Sequence, residues 1–193
     1  VDAPLHIGTN KLPKIIEQIR EAIIENGGEI HFNSRFTDFK SVEGELKQIN
    51  VNETWYDFDH CILATGHSAR DIFELLNSKK LRLTAKPIAI GVRIEHPQAL
   101  INNIQYHNNF NPDFLPPASY SLVEQVKGRG VYSFCMCPGG IVAPCATSQE
   151  EVVTNGWSPS KRNNQFANSG MVVEIHPEDI AKGGEVHPFT TLD

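Results

Sequence analysis

With 193 residues, 40% of them hydrophobic, the chain is long enough for one large domain or two small ones around an apolar core. Its net charge of −6, with 17 Lys and Arg residues scattered instead of striped, argues against nucleic acid as a partner. No run approaches the roughly 20 apolar residues that span a bilayer, VDAPLHIGTN is no signal peptide, and the four cysteines lack the even spread of a disulfide scaffold, so a reduced, cytoplasmic protein is expected, with no membrane partner.

From Thr9, TNKLPKIIEQIREAIIENGG offers a capping residue at Thr9 or Asn10 and Pro13 near the first turn. Leu12, Ile15, Ile16, Ile19, Ala22 and Ile23 recur at helical spacing. Asn26-Gly27-Gly28 ends the helix, because glycine takes the left-handed conformation at little cost. EIHFNSRFTDFKSV and ELKQINVNETWYDFDHCILATG alternate apolar and polar residues around Glu43-Gly44, which predicts a strand and then a hairpin. Cys61-Ile62-Leu63-Ala64 is apolar without alternation, the pattern of a parallel strand buried on both faces. Helix, strand, hairpin and buried strand ending at Thr65-Gly66 form the second half of an α/β nucleotide-binding domain, whose ligands lie beyond the carboxyl ends of the strands. ARDIFELLNSKK reads as a further helix.

The character changes from about Leu81. PIAIGVRIEHPQ is a strand stopped by His96-Pro97, NNFNPDFLPPASYS is loop-rich, and GRGVYSFCMC, VVTNGWS and GMVVEIHPE are short strands. Asn155-Gly156 reads as a hairpin turn, since both residues accept positive φ. The expected fold is α+β / α/β: a partial Rossmann-like segment over 1–80, then a mostly β domain over 81–193. The opening without methionine and the uncapped HPFTTLD end read as the interior of a longer chain.

The most pointed motif is SFCMCPGG, Ser133 to Gly140. As a zinc site it offers Cys135, Cys137 and Cys145 with His107 or His176 to complete the set, but in a C-x-C pattern instead of paired C-x-x-C spacings. As a redox pair it lacks the helix N-terminus that lowers an attacking thiol's pKa. On a regular strand Cys135 and Cys137 would share one face, with Tyr132, Phe134 and Met136 opposite, and both thiols could simply be small packing groups. Pro138-Gly139-Gly140 leaves main-chain amides free of Cβ atoms, which suits either close approach to a ligand or a tight turn.

Elsewhere, Thr65 and Gly66 could present amides to a phosphate or sugar, or form a plain strand-to-helix turn capped by Ser68. Arg93 and Glu95 on their predicted strand suggest surface ion pairing, and Arg162 is either an anion clamp or a solvated loop cation. His67 and His96 are candidate proton donors. No Gly-x-Ser-x-Gly elbow, Walker loop or His-Glu-x-x-His helix is found, which leaves hydrolase and phosphotransferase readings unsupported.

Taken in order, PLHIGTNKLPKIIEQIREAIIENGGEIHFNSRFTDF, ILATGHSARDIFELL, AKPIAIGVRIEHPQ and FCMCPGGIVAPCATSQEEVVTNGWSPSKRNNQFANSG resemble the bacterial NAD(FAD)-utilising dehydrogenases. These are FAD-dependent proteins with a domain inserted into a glutathione-reductase-like FAD domain. The resemblance covers nearly the whole chain; Cys137-Pro-Gly-Gly and Thr154-Asn-Gly are its specific blocks, whereas Ala64-Thr-Gly is shared by many flavoproteins. It implies a parent oxidoreductase that binds FAD, with NAD(P)H as reductant and a small-molecule substrate. It also implies that the Phe36 backbone lies beside the adenine, that Ala64, Thr65 and Gly66 lie against FAD, and that Pro138, Gly139 and Gly140 face the isoalloxazine or substrate. Cys135 and Cys137 would then be a catalytic dithiol near the flavin. The chain departs from the pattern in lacking G-x-G-x-x-G and the family's C-terminal glycine-rich segment. It thus resembles the middle of such an enzyme, whose flanking FAD-domain segments are its partners, and alone it is expected to hold FAD weakly or not at all. The alternative is a noncatalytic binding or interaction module, thiol-metal stabilised, with the α/β half as scaffold.

Overall fold

A computed structural model describes residues 7–146 and 149–180; HPFTTLD and the first six residues lie outside the described residues. The chain divides into two compact units, one of Arg20–Ala85 and one of Val1–Ile19 with Lys86–Asp193.

Helix α1 (Leu12–Glu25) follows a single 3₁₀ turn at Thr9–Lys11 and crosses that division. Gly28 N–H closes its end on the Ile23 carbonyl at 2.9 Å, with Gly27 at φ 82°. None of its residues is buried: Leu12, Ile16, Ile19, Ile23 and Ile24 form an apolar stripe that remains exposed.

In the Arg20–Ala85 unit, β1 (Phe36–Val42), β2 (Glu45–Val51) and β3 (Thr54–Asp57) form an antiparallel meander. Its turns, Glu43-Gly44 and Asn52-Glu53, have positive φ at both residues, the twist that two-residue hairpins need. Helix α2 (Arg70–Ser78) buries Ile72, and Phe39 is buried on β1. Arg35 pairs with Asp71 and Lys79 with Asp38, each at 2.6 Å, and both carboxyls are held below their ordinary range by these partners. The N-cap of α2 is Ala69, not Ser68, whose carbonyl accepts from Arg70 N–H and whose hydroxyl lies 3.2 Å from His67 Nδ1.

The strand predicted over EIHFNSRFTDFKSV forms only from Phe36 onward, as β1, and the one predicted over Cys61–Ala64 does not form. Glu29–Phe32 is irregular, with Ile30 and Phe32 exposed, and Cys61–Ala64 is irregular too, with Ile62 91% exposed. Every ladder among the described residues is antiparallel, so the architecture is α+β with several antiparallel sheets and shows no parallel layer. The reason is non-local: a parallel strand forms only where neighbours and flanking layers cover it, and here none is paired with either segment.

In the other unit, β4 (Ile88–Pro97) leads into α3 (Gln98–Gln105), followed by β5 (Val123–Val126) and β6 (Arg129–Cys137). Then come β7 (Ile141–Cys145), β8 (Val153–Trp157), β9 (Phe166–Ile175) and the single turn α4 (Pro177–Ile180). The main sheet has the order β4-β9-β6-β5, and β7-β8 form a separate ribbon. On the central strand β9, Ala167, Asn168 and Ser169 are fully buried. The N-terminal stretch docks on this unit through Thr9 N–H to the Ser158 carbonyl and Ser160 N–H to Asn10 Oδ1. Arg129 grips Asp179 with two 2.6 Å bonds.

Two further expectations need correction. Asn155-Gly156 is no turn but lies within β8, opposite Ala143 and Val142. Glycine is required there for close approach, since a Cβ would fall 2.5 Å from both Cys137 Sγ and Arg93 Nη1. In β6, Phe134 pairs with Gly170 but Cys137 with Asn168, so the strand carries one extra residue at a bulge where Cys135 has φ 49°. The extra residue breaks the alternation: Cys137 falls on the face of Phe134, buried, while Cys135 is exposed. Among the described residues no helix is long and apolar enough to cross a membrane.

Candidate functional site

Arg93, opposite Gly170 on β9, reaches from β4 toward the bulge. Its Nη1 donates to Asn168 Oδ1 at 2.7 Å and to the Cys135 carbonyl at 3.1 Å, where the sequence suggests surface ion pairing. Asn168 is 0% exposed and its Nδ2 has no partner among the described residues, so its one hydrogen-bonded side-chain atom depends on Arg93. The Cys137 thiol lies beside the Arg93 guanidinium and the Cys135 thiol, and donates to the Cys135 carbonyl at 3.4 Å. Burial pushes that thiol up to about 11, its Cys135 neighbour adds to the rise, and Arg93 opposes it. A cavity of about 120 Å³ opens beside Arg93, walled by Phe134, Thr154, Asn155, Gly170 and Val172. Arg93 thus borders both this small space and the Cys137 thiol.

The glycine turn does not present free amides. Gly139 N–H donates to Gln98 Oε1 at 2.8 Å and Gly140 N–H to the Phe166 carbonyl at 2.9 Å, and Pro138, Gly139 and Gly140 are all buried. The Pro138 carbonyl accepts from Ser158 Oγ and the Gly139 carbonyl from Asn164 N–H. Adjacent glycines serve internal packing here: a Cβ on Gly139 would overlap the Arg162 carbonyl, and one on Gly140 would fall 2.5 Å from the Trp157 carbonyl. Gln98 Nε2 also donates to Asn102 Oδ1 and to the Ala118 carbonyl, so the turn rests on a buried polar network under α3. Arg162 is half-buried at φ 48° with its Nε unpartnered, and thus is not a freely solvated cation.

His96 lies tilted at 37° against the Tyr120 ring, 5.6 Å between centroids, and its buried Nε2 has no partner among the described residues. Burial lowers its pKa below the usual 6.5, with Glu95 opposing. A depressed histidine stabilises the fold above the unfolded pKa and withdraws that stability as pH falls. The thermal midpoint should therefore drop as pH falls from about 7.5 through the unfolded value near 6.5 and below it, and a scan of His96→Gln should be flatter over that range. A wild-type profile no steeper than the variant's would count against this role.

In the Arg20–Ala85 unit, Phe36 lines an apolar cavity of about 440 Å³ with Phe39, Leu46, Cys61, Leu63 and Leu76. Ala64, Thr65 and Gly66 follow Leu63 as an exposed loop; Gly66 has φ 79° and nothing within 4 Å of where a Cβ would be. An apolar cavity of this size and an uncrowded backbone beyond it fit a flat ring with a polar tail. Among the described residues no three His, Cys, Asp or Glu side chains gather as a metal set, so Cys135, Cys137, Cys145, His107 and His176 do not assemble into the zinc site considered from their spacing.

Gln98, Asn102 and Asn168 escaped the sequence reading. The signal was the small polar run Asn168-Ser169-Gly170 inside an apolar strand, and Gln98 and Asn102 one helical turn apart.

The family model described as "FAD-dependent protein, C-terminal domain-like" matches residues 87–192. A protein of Clostridium beijerinckii (strain ATCC 51743 / NCIMB 8052), described as "Uncharacterized protein", is 44% identical over 181 residues, covering 93% of this chain. The chain spans 34% of that curated relative's length. Since the matched segment, which contains the Arg93 cluster and the glycine turn, takes up more than half of the residues, the chain belongs to the FAD-dependent protein, C-terminal domain-like family.

Proposed function

We propose that this chain is the central part of a cytoplasmic FAD-dependent oxidoreductase, in which it positions flavin and a small-molecule substrate and NAD(P)H is the reductant. The observation that carries the reading is the family match over 87–192. Its geometric support is the apolar surface left uncovered: the α1 stripe, Ile30 and Phe32, and the Cys61–Ala64 run all expose side chains that a longer protein would bury. A relative of which this chain spans 34% has chain enough to do so.

When bound, FAD supplies the two-electron chemistry that amino-acid side chains lack. The chain's residues bind and orient. Phe36 and Leu63 offer an apolar wall to an adenine ring, and Thr65-Gly66 an approachable backbone to the sugar and phosphate. Arg93, held by Asn168, offers a positioned cation to an anionic group in the cavity beside it. The glycine turn holds the shape of that unit, its Gly139 and Gly140 amides bonded to Gln98 and Phe166.

The test is flavin content. The 193-residue chain, purified with added FAD, should retain far less than one flavin per chain, whereas the longer protein that contains it should retain one. Gly66→Val in the longer protein should release the flavin, because φ 79° disfavours a β-branched residue and the side chain fills the open approach. Stoichiometric flavin on the 193-residue chain would refute the fragment reading, and a flavin-free longer protein would refute the FAD reading.

A further inference from the structure

The bulge in β6 does something that a regular strand would not. It separates the two thiols by accessibility, with Cys135 exposed and Cys137 7% exposed, yet keeps Cys137 Sγ 3.4 Å from the Cys135 carbonyl and in electrostatic contact with the Cys135 thiol. Cys135 holds its left-handed backbone at φ 49° without being glycine, a cost that a merely packed cysteine does not need to incur. Gly156 keeps the space next to Cys137 Sγ free, and the Arg93 guanidinium borders the same point. An exposed thiol, a sheltered neighbour and a fixed cation are the parts of an exchange site.

We propose that Cys135 and Cys137 form a redox-active pair that exchanges electrons with small disulfides, cycling between two thiols and one internal disulfide. The Cys135 thiolate attacks one sulfur of R–S–S–R; that S–S bond breaks, one RS⁻ leaves and takes up the proton Cys135 gave up. Cys137 then attacks Cys135 Sγ, the mixed disulfide breaks, and the second RS⁻ departs with the proton from Cys137. Two protein thiols are oxidised and one disulfide is reduced to two RSH. Capping Cys135 in the mixed disulfide removes its repulsion of a Cys137 thiolate and leaves the favourable influence of Arg93. No flavin is needed for this exchange, so it stands apart from the FAD reading.

The experiment treats the full chain with oxidised glutathione, alkylates the remaining thiols and maps the peptides by mass. The expected result is a wild-type peptide spanning Cys135 and Cys137 that has lost two hydrogens and carries neither alkyl group nor glutathione. Cys137→Ser should trap glutathione on Cys135, and Cys135→Ser should leave Cys137 unmodified over the same period. Cys61 and Cys145 are exposed and report ordinary reactivity in the same digest. Glutathione accumulating on wild-type Cys135, or both cysteines staying alkylatable while Cys61 reacts, would overturn the proposal. The wild-type map alone decides, so a variant that fails to fold does not weaken the test.

Discussion

Gly139→Ala is expected to lower the stability of the β-rich unit by about 3 kcal/mol or more, enough to shift its urea midpoint far to the left. Two effects combine. The native φ of 50° is strained for any side chain, and the new methyl would overlap the backbone carbonyl of Arg162, which no rotamer change can move away. Relief requires shifting the Arg162 loop or the turn, and the turn is tied by Gly139 N–H to Gln98 and by its carbonyl to Asn164. Trp157, whose carbonyl abuts Gly140, is a local fluorescent reporter for the transition. Gly128→Ala is the control: its φ of 80° is equally demanding but the space around it is open, so it should cost only about 1 kcal/mol. Equal losses at the two positions would show that strain alone acts and that packing of the turn does not matter.

Arg93→Met is the second large effect, a loss of about 3 kcal/mol in denaturant unfolding. Among the described residues, removing the guanidinium takes the only partner of Asn168 Oδ1 and leaves a fully buried amide with both polar atoms unsatisfied. The Cys135 carbonyl loses a donor at the bulge as well. Arg93→Lys should recover part of the loss, since an ammonium can reach one acceptor but lacks the planar fork. Adding Asn168→Leu to Arg93→Met should restore at least about 1 kcal/mol, because replacing both partners with apolar groups avoids the stranded amide. Strict additivity of the two substitutions would sink the claim that they act as a pair.

These two predictions rest on features of very different legibility. Gly139 stood out in the sequence as one of two adjacent glycines, but whether the turn faced a ligand or packed inward depended on Gln98 and Arg162, which lie 41 and 23 residues away in the chain. Arg93 is visible in the sequence as a charge on a strand, which suggests surface ion pairing; its actual partner, Asn168, is 75 residues distant. The Cys135 and Cys137 spacing was plain, but its consequence reversed once one extra residue in β6 was paired against β9. Cys61–Ala64 was assigned by composition to a buried strand, a state that depends wholly on what surrounds it.

What the sequence determined by itself is the local structure: α1 and α2 from their apolar spacing, the Glu43-Gly44 hairpin from its turn residues, and β4, β6 and β9 from their apolar character. Its family membership likewise resides in linear blocks, above all those between Lys86 and Gly170. Tertiary structure alone decided the bulge at Cys135, the close approach at Gly156 and the burial of Gln98 and Asn168. Periodicity and turn propensity act over a few residues, whereas burial and close approach depend on groups brought together from distant parts of the chain.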